Sequence, residues 1–165
     1  MEKKKYHKHG RREIGEQIEI DLAERDIAFF VQCFIHKYQS SFELRHTVCP
    51  EASHYVVSRR LKKLTRARYL DKPSEADPSR KTDNRPIVYQ LTERGVTALV
   101  QAGRITPDAV RWYKALPRSN YQHDRFVAFI ATSIQIGCIQ TPGERFISWL
   151  EMLQHAPQAT QQLPN

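Results

Sequence analysis

Cysteine is scarce in this chain, and the three that occur, Cys33, Cys49 and Cys138, are scattered. The count is odd and no C-x-x-C spacing exists, so neither a disulfide framework nor a zinc site is indicated. Cys33 and Cys138 lie in apolar runs and are expected to be buried small hydrophobes. Long apolar runs are missing: no stretch reaches the ~18 residues of a membrane-crossing helix. The basic N-terminus leads into no apolar segment, so it does not read as a secretory signal, and a cytoplasmic location is expected. No glycine-rich phosphate loop, Ser/His/Asp order or pair of carboxylates at catalytic spacing stands out, and a non-catalytic protein without cofactor or metal is the expectation. Acid is in deficit as well. Eighteen Asp and Glu face 26 Lys and Arg, a net charge of +8, which favours an acidic partner such as nucleic acid.

What is present fills one core in 165 residues: 40% hydrophobic side chains and two Trp. Residues 1–12 carry six Lys or Arg and no apolar period, so 1–20 reads as a basic flexible tail. In 21–38, Ile27, Phe30, Val31 and Phe34 repeat at helical spacing, with Asp21 and Glu24 loosely resembling a capping box. Segment 39–44 leaves room for a turn or one short strand, 42–48 for a second helix, and "CPEAS" for a turn ending at Ser53, a plausible N-cap.

"SHYVVSRRLKKLTRARYL" (53–70) is the most informative stretch, with six Lys or Arg in eighteen residues. Val57, Leu61 and Leu64 form an inward stripe, while Tyr55, Ser58, Arg59, Lys62 and Arg66 fall on the opposite side. Such a helix can dock its back on a core and turn its front to phosphates. "YLDKP" and "PIVYQL" read as two strands around a polar stretch, 74–85, holding Arg80, Lys81 and Arg85. Thr92, Thr106 with Pro107, and Gly103 mark the ends of two short helices, and helices are predicted over 119–138 and 141–153, the second from Thr141, Pro142 and Glu144. The Gln- and Pro-rich end, 154–165, reads as a flexible tail.

Helix, short helix, turn, basic helix and hairpin is the order of a winged helix-turn-helix. The fold class is therefore mainly α, a winged helix-turn-helix with a two-stranded β-hairpin wing over 21–103 and C-terminal dimerisation helices over 104–153. Candidate DNA contacts are Ser53, His54, Tyr55, Ser58, Arg59, Lys62 and Arg66 on the helix, with Arg80, Lys81 and Arg85 in the wing. Arg60, Lys63 and Arg66 lie nearer the flanks and would touch backbone at most. His123–Asp124 invites a metal reading, but His46, His54 and the rest supply no further ligands at suitable places; Asp124 in a first helical turn suits the helix dipole. Trp112, Tyr113, Phe126, Phe129, Phe146 and Trp149 have helical spacing and suit a core or a dimer seam.

"SRRLKKLTRARYL" followed by "PIVYQLTERG", with "LAERDIAFF" (22–30) and "HDRFVAFIATS" (123–133), resembles the bacterial replication-relaxation family over roughly residues 21–150. The resemblance implies a winged-helix, sequence-specific double-stranded DNA-binding protein of plasmid replication or conjugative transfer. A relaxase or replication protein is a further candidate partner, and a homodimer is expected because winged helices usually read inverted half-sites as two-fold dimers, with the helices over 119–138 and 141–153 as the seam. The wing signature is shared with other winged-helix regulators, so a transcriptional repressor of its own or a neighbouring operon is the alternative; a protein-docking winged helix is another. Two departures stand out. Winged helices of this type commonly have Gly where this chain has Arg68; a side chain there would cost roughly 1 kcal/mol at positive φ, which predicts a less sharply turned exit. Family members also carry more chain after the point where this one stops, so a DNA-binding fragment of a longer, nuclease-like protein is a third alternative.

Overall fold

A computed structural model describes residues 19–73, 87–115 and 120–162. The tail 1–18 and the segment holding Arg80, Lys81 and Arg85 lie outside the described residues. The fold is mainly helical with a small antiparallel sheet. In chain order the elements are α1 (Glu24–His36), β1 (Gln39–Ser40), α2 (Ser41–Val48), α3 (His54–Arg66), β2 (Leu70–Asp71), β3 (Val88–Leu91), α4 (Glu93–Gln101), α5 (Pro107–Ala115), α6 (Tyr121–Gln140), α7 (Trp149–His155) and α8 (Gln158–Gln161).

The apolar stripe of α1 fills the centre. Phe29, Phe30, Cys33 and Phe34 are sealed from solvent, together with Leu44 of α2, Val57, Leu61 and Leu64 of α3, and Leu99 of α4. Burying each such Leu or Phe contributes about 1.5–3 kcal/mol, so this one cluster holds four helices together. Phe30 stacks on Tyr69 at 5.5 Å, and Phe34 lies 4.7 Å from the Tyr113 ring and 5.6 Å from that of Trp149. The start of α1 is set two residues later than the Asp21–Glu24 pattern predicts. Asp26 accepts from the Ala23 N–H at 2.8 Å and closes half of a capping box.

Strand β3 is central: Gln39 pairs with Tyr89 and Ser40 with Val88 on one side, Leu70 with Leu91 and Asp71 with Gln90 on the other. The predicted two-stranded hairpin is thus a three-stranded sheet, because β1 joins its free edge. The turn from α1 into β1 is abrupt. Lys37 adopts φ 67°, ψ −55°, and the Tyr38 N–H donates to the His36 carbonyl at 2.8 Å, a γ-turn of the strained, positive-φ kind.

Helix α6 lies across α1, β1 and α2 and is tied down by polar contacts. Gln39 Nε2 donates to Thr132 Oγ1 at 2.7 Å, Arg125 pairs with buried Glu43 at 2.9 Å, His36 Nε2 meets Gln135 Oε1 at 2.8 Å, and Lys37 pairs with Asp124. Asn120 caps this helix, its side chain accepting from the Gln122 N–H.

The helix predicted over 141–153 starts instead at Trp149. Gly143 sits at φ 85°, the Thr141 hydroxyl bonds back to Gly137, and Phe146 packs beside His36. Trp149 Nε1 donates to the Ile35 carbonyl at 2.8 Å, and Ser148 supplies the cap. Tertiary packing thus overrides a local N-terminal signature. Part of the predicted flexible tail is α8, whose Gln161 carbonyl accepts from Trp112 Nε1 at 2.9 Å. Cys138, expected to be buried, is half-buried.

Candidate nucleic-acid interface

Helix α2 is started by a full capping box: the Glu43 N–H donates to Ser40 Oγ at 3.2 Å, and Glu43 Oε2 accepts from the Ser40 N–H at 2.6 Å. The turn to α3 is pinned from α2 by Arg45, whose guanidinium donates to the Ala52 carbonyl at 2.7 Å and to Pro50 at 3.2 Å. Ser53 then caps α3, accepting from the Val56 N–H at 3.4 Å. The His54 ring nitrogen lies 3.4 Å from the Ser41 hydroxyl and 3.3 Å from that of Ser58, which links the start of α3 to α2. His54 and Ser53 therefore serve the helix-to-helix joint as well as facing solvent.

The inward stripe Val57, Leu61 and Leu64 is buried to within 1%. Opposite it, Tyr55 is 72% exposed, and Arg59, Lys62, Lys63 and Arg66 are exposed beside it; Ser58 is half-buried. Among the described residues no carboxylate pairs with Arg59, Lys62, Lys63 or Arg66. Arg60 is different. Its Nε donates to Asp26 Oδ1 at 2.9 Å and its Nη2 to Oδ2 at 2.5 Å, and Nη2 also reaches the Asp21 carbonyl at 2.7 Å. The hydrogen bond to Asp26 raises the Arg60 pKa further above its ordinary value. Arg60 is thus a clamp from α3 to the start of α1, and not the outer-flank cation the sequence suggests.

The exit of α3 corrects a second expectation. Arg68 takes φ +60°, the Tyr69 N–H donates to the Leu64 carbonyl at 3.0 Å, and the Arg68 N–H to Thr65 at 3.1 Å. That is a Schellman motif with arginine in the position glycine favours. The turn is as sharp as a glycine would make it, and Arg68 is left exposed at the end of the cationic face. The same motif closes α4, where Gly103 has φ 64° and the Arg104 and Gly103 N–H groups reach Leu99 and Val100.

The "YQLTERG" segment locks the base of the hairpin to this exit. Thr92 Oγ1 accepts from the Gly95 N–H at 3.2 Å, and it donates to the Arg68 carbonyl at 2.6 Å and the Tyr69 carbonyl at 3.0 Å. A Cβ on Gly95 would sit 2.5 Å from the Tyr69 carbonyl oxygen, so α4 approaches the α3–β2 link as closely as it does only with glycine there. Arg94 donates to the Ala67 carbonyl at 2.8 Å with its guanidinium 4.3 Å from the Tyr69 ring centre.

Two exposed residues of this surface escape the sequence reading. Val56 lies one residue from the buried stripe and faces out beside Tyr55 and Arg59. Arg68 is legible only as a missing glycine. Of the remaining titratable groups, burial pushes the Cys33 thiol up and the Tyr89 and Tyr113 hydroxyls to about 12. Cys33 is therefore held as a thiol, not a thiolate. Asp124 pairs with Lys37, and no group of three or more His, Cys, Asp or Glu suited to a metal exists among the described residues. The six aromatics divide: Tyr113 and Trp149 pack on the core, Trp112 and Phe146 are half-buried against Gln161 and His36, and Phe126 and Phe129 face out. No helix among the described residues is long and apolar enough to cross a membrane.

Compared with known proteins, residues 35–163 match the family described as replication-relaxation. No curated protein and no solved structure matches the chain.

Proposed function

The chain belongs to the replication-relaxation family, and from that membership and the surface of α3 we propose that it is a sequence-specific, double-stranded DNA-binding protein of plasmid replication or mobilisation. In this reading α1 to β3 form a winged helix-turn-helix, α3 enters the major groove, and the β2–β3 connection is the wing. The observation that supports it best is the division of labour on α3. Arg60 is engaged by Asp26, whereas Tyr55, Arg59, Lys62 and Arg66 are exposed together and meet no carboxylate among the described residues.

Each residue has a role by its chemistry. The Arg59 fork suits a guanine edge, Lys62 and Arg66 are point and fork charges for phosphate, and Ser53, Ser58 and Tyr55 donate to phosphate or base. His54 orients the start of the helix and lies within reach of the backbone. Arg80, Lys81 and Arg85 would touch the flanking backbone or minor groove from the wing.

Footprinting and fluorescence anisotropy on origin-region DNA of the host replicon test the proposal. Binding should weaken with salt at a log–log slope of about −0.9 per phosphate contact. Arg59→Ala should lose roughly 1–3 kcal/mol with relaxed preference at one base pair, whereas Lys62→Ala should weaken all sequences alike. Unchanged operator binding by Arg59→Ala, with binding abolished by deletion of the wing, would show that α3 is not the reading helix. Salt-independent or absent DNA binding would end the proposal.

A further inference from the structure

Helix α6 docks one side on the rest of the fold and leaves the opposite, largely apolar side uncovered. At about 100° per residue, Ala128, Thr132 and Gln135 point one way, onto α1, β1 and α2. Phe126, Phe129, Ile130, Ser133, Ile134 and Gly137 point the other way. Their large members stand 61%, 52%, 43% and 55% exposed for Phe126, Phe129, Ile130 and Ile134. No Asp, Glu, Lys or Arg occurs from Phe126 to Gln140 in a chain otherwise rich in charge. Four large apolar side chains exposed on one uncharged helix face form a contiguous patch of the kind that marks an interaction surface.

The outer stripe also has an order. It is bulky at the N-terminal end and small at the C-terminal end, and a Cβ at Gly137 would meet nothing within 4 Å. We infer that α6 pairs antiparallel with α6 of a second copy about a two-fold axis between Ala131 and Thr132. That register sets Phe126 over the bare backbone at the partner's Gly137, Phe129 against the partner's Ile134, and Ile130 against the partner's Ser133. Phe126, Phe129 and Ile130 each meet a smaller group, and each contact is repeated by symmetry. A parallel pair would set Phe126 on Phe126 and leave a void at Gly137. The antiparallel pair also places each helix N-terminus beside the other's C-terminus, so the helix dipoles oppose.

The stripe offers roughly 400 Å² per copy, within the about 300–600 Å² of the largest, often functional, patch on a single protein. With flanking surface from both copies, the seam comes near the about 1,000 Å² that a specific interface needs, so a concentration-dependent dimer is expected. The pairing does not rest on DNA binding, and its test contains no DNA.

The test is sedimentation velocity on the full chain over a concentration series, with thermal unfolding followed by circular dichroism to verify the fold of each variant. The parent should dimerise reversibly. Phe126→Ala and Gly137→Phe should each weaken the dimer by about tenfold or more. The double variant F126A/G137F exchanges the bulky and bare positions and should recover to within a few-fold of the parent. A parent that stays monomeric at its highest soluble concentration overturns the inference. A dimer indifferent to both single changes places the seam elsewhere. Two weakened single variants with no recovery in the double variant overturn the antiparallel register.

Discussion

Arginine at position 68 holds a backbone shape that glycine would adopt without strain, and replacing it separates stability from binding. Arg68 sits at φ +60° in the C′ position of α3, inside a Schellman motif whose two hydrogen bonds are made by backbone alone. An L-residue there costs about 1–2 kcal/mol relative to the right-handed region. Glycine removes that cost but enlarges the freedom of the unfolded chain, which returns part of the gain. The net expectation for Arg68→Gly is a stabilisation of about 0.5–1 kcal/mol, or roughly 1–4 °C in Tm for a chain of this size. Gly103 is the internal control. It occupies the same motif at φ 64°, and an added Cβ would touch nothing within 4 Å, so Gly103→Ala exposes the backbone cost without a clash. That variant should lose about 1 kcal/mol. Urea unfolding at constant m-value gives both numbers. If α3 reads DNA as proposed, binding should move the other way: removing an exposed cation from the end of that face should lower affinity and reduce the salt slope by about 0.9. The reasoning is refuted if Arg68→Gly destabilises the protein while Gly103→Ala behaves as stated, because then the arginine side chain outweighs the backbone.

Arg60→Ala should cost about 2–3 kcal/mol in urea unfolding. The ~3–5 kcal/mol typical of a broken buried pair is reduced because water reaches the partly exposed guanidinium, and a double Asp26→Ala/Arg60→Ala variant should be less damaged than the single one. Gly95→Ala should lower the urea midpoint despite better helix propensity. A Cβ 2.5 Å from the Tyr69 carbonyl must move backbone, and overpacking of this kind costs about 1–3 kcal/mol against a propensity gain of about 1. Burial lowers the His36 pKa, with the Gln135 hydrogen bond and the Glu43 charge opposing it. The unfolded chain therefore takes up this proton first, and stability is complete above about pH 6.5 and falls as pH drops from there toward the folded value. His36→Leu should remove that part of the acid loss, measured as the difference in urea midpoint between about pH 7.5 and about pH 5.5.

The parts of this fold that were legible from sequence are those fixed within one or two helical turns. The stripes of α1 and α3, the caps at Ser53, Thr92 and Thr106, and the glycine at 103 are all local, and each stands where its pattern puts it. The outward placement of Tyr55, Arg59, Lys62 and Arg66 follows from the same arithmetic, because a face opposite a buried stripe has nowhere else to go. Long-range pairing was not legible. Asp26 and Arg60 meet across 34 positions, so helical spacing sets Arg60 nearer the flank than Arg59 but cannot supply its partner. Strand β1 is two residues long, too short for any alternation, and exists because β3 has an edge to offer. Thr141, Pro142 and Glu144 mimic a helix start, yet Phe146 and Trp149 are drawn onto His36 and Ile35, and the start moves to Ser148.

The ties from α6 to the α2–β1 corner, part-buried Arg125 to Glu43 and buried Thr132 to Gln39, leave α6 little room to swivel against the rest of the chain. Two copies joined through α6 would then behave as a caliper with stiff jaws, whose gap is set by the protein and not negotiated with the duplex. Adding about half a helical repeat, ~5 base pairs, between two recognition sequences would swing one of them to the far side of the double helix, beyond the reach of the second jaw.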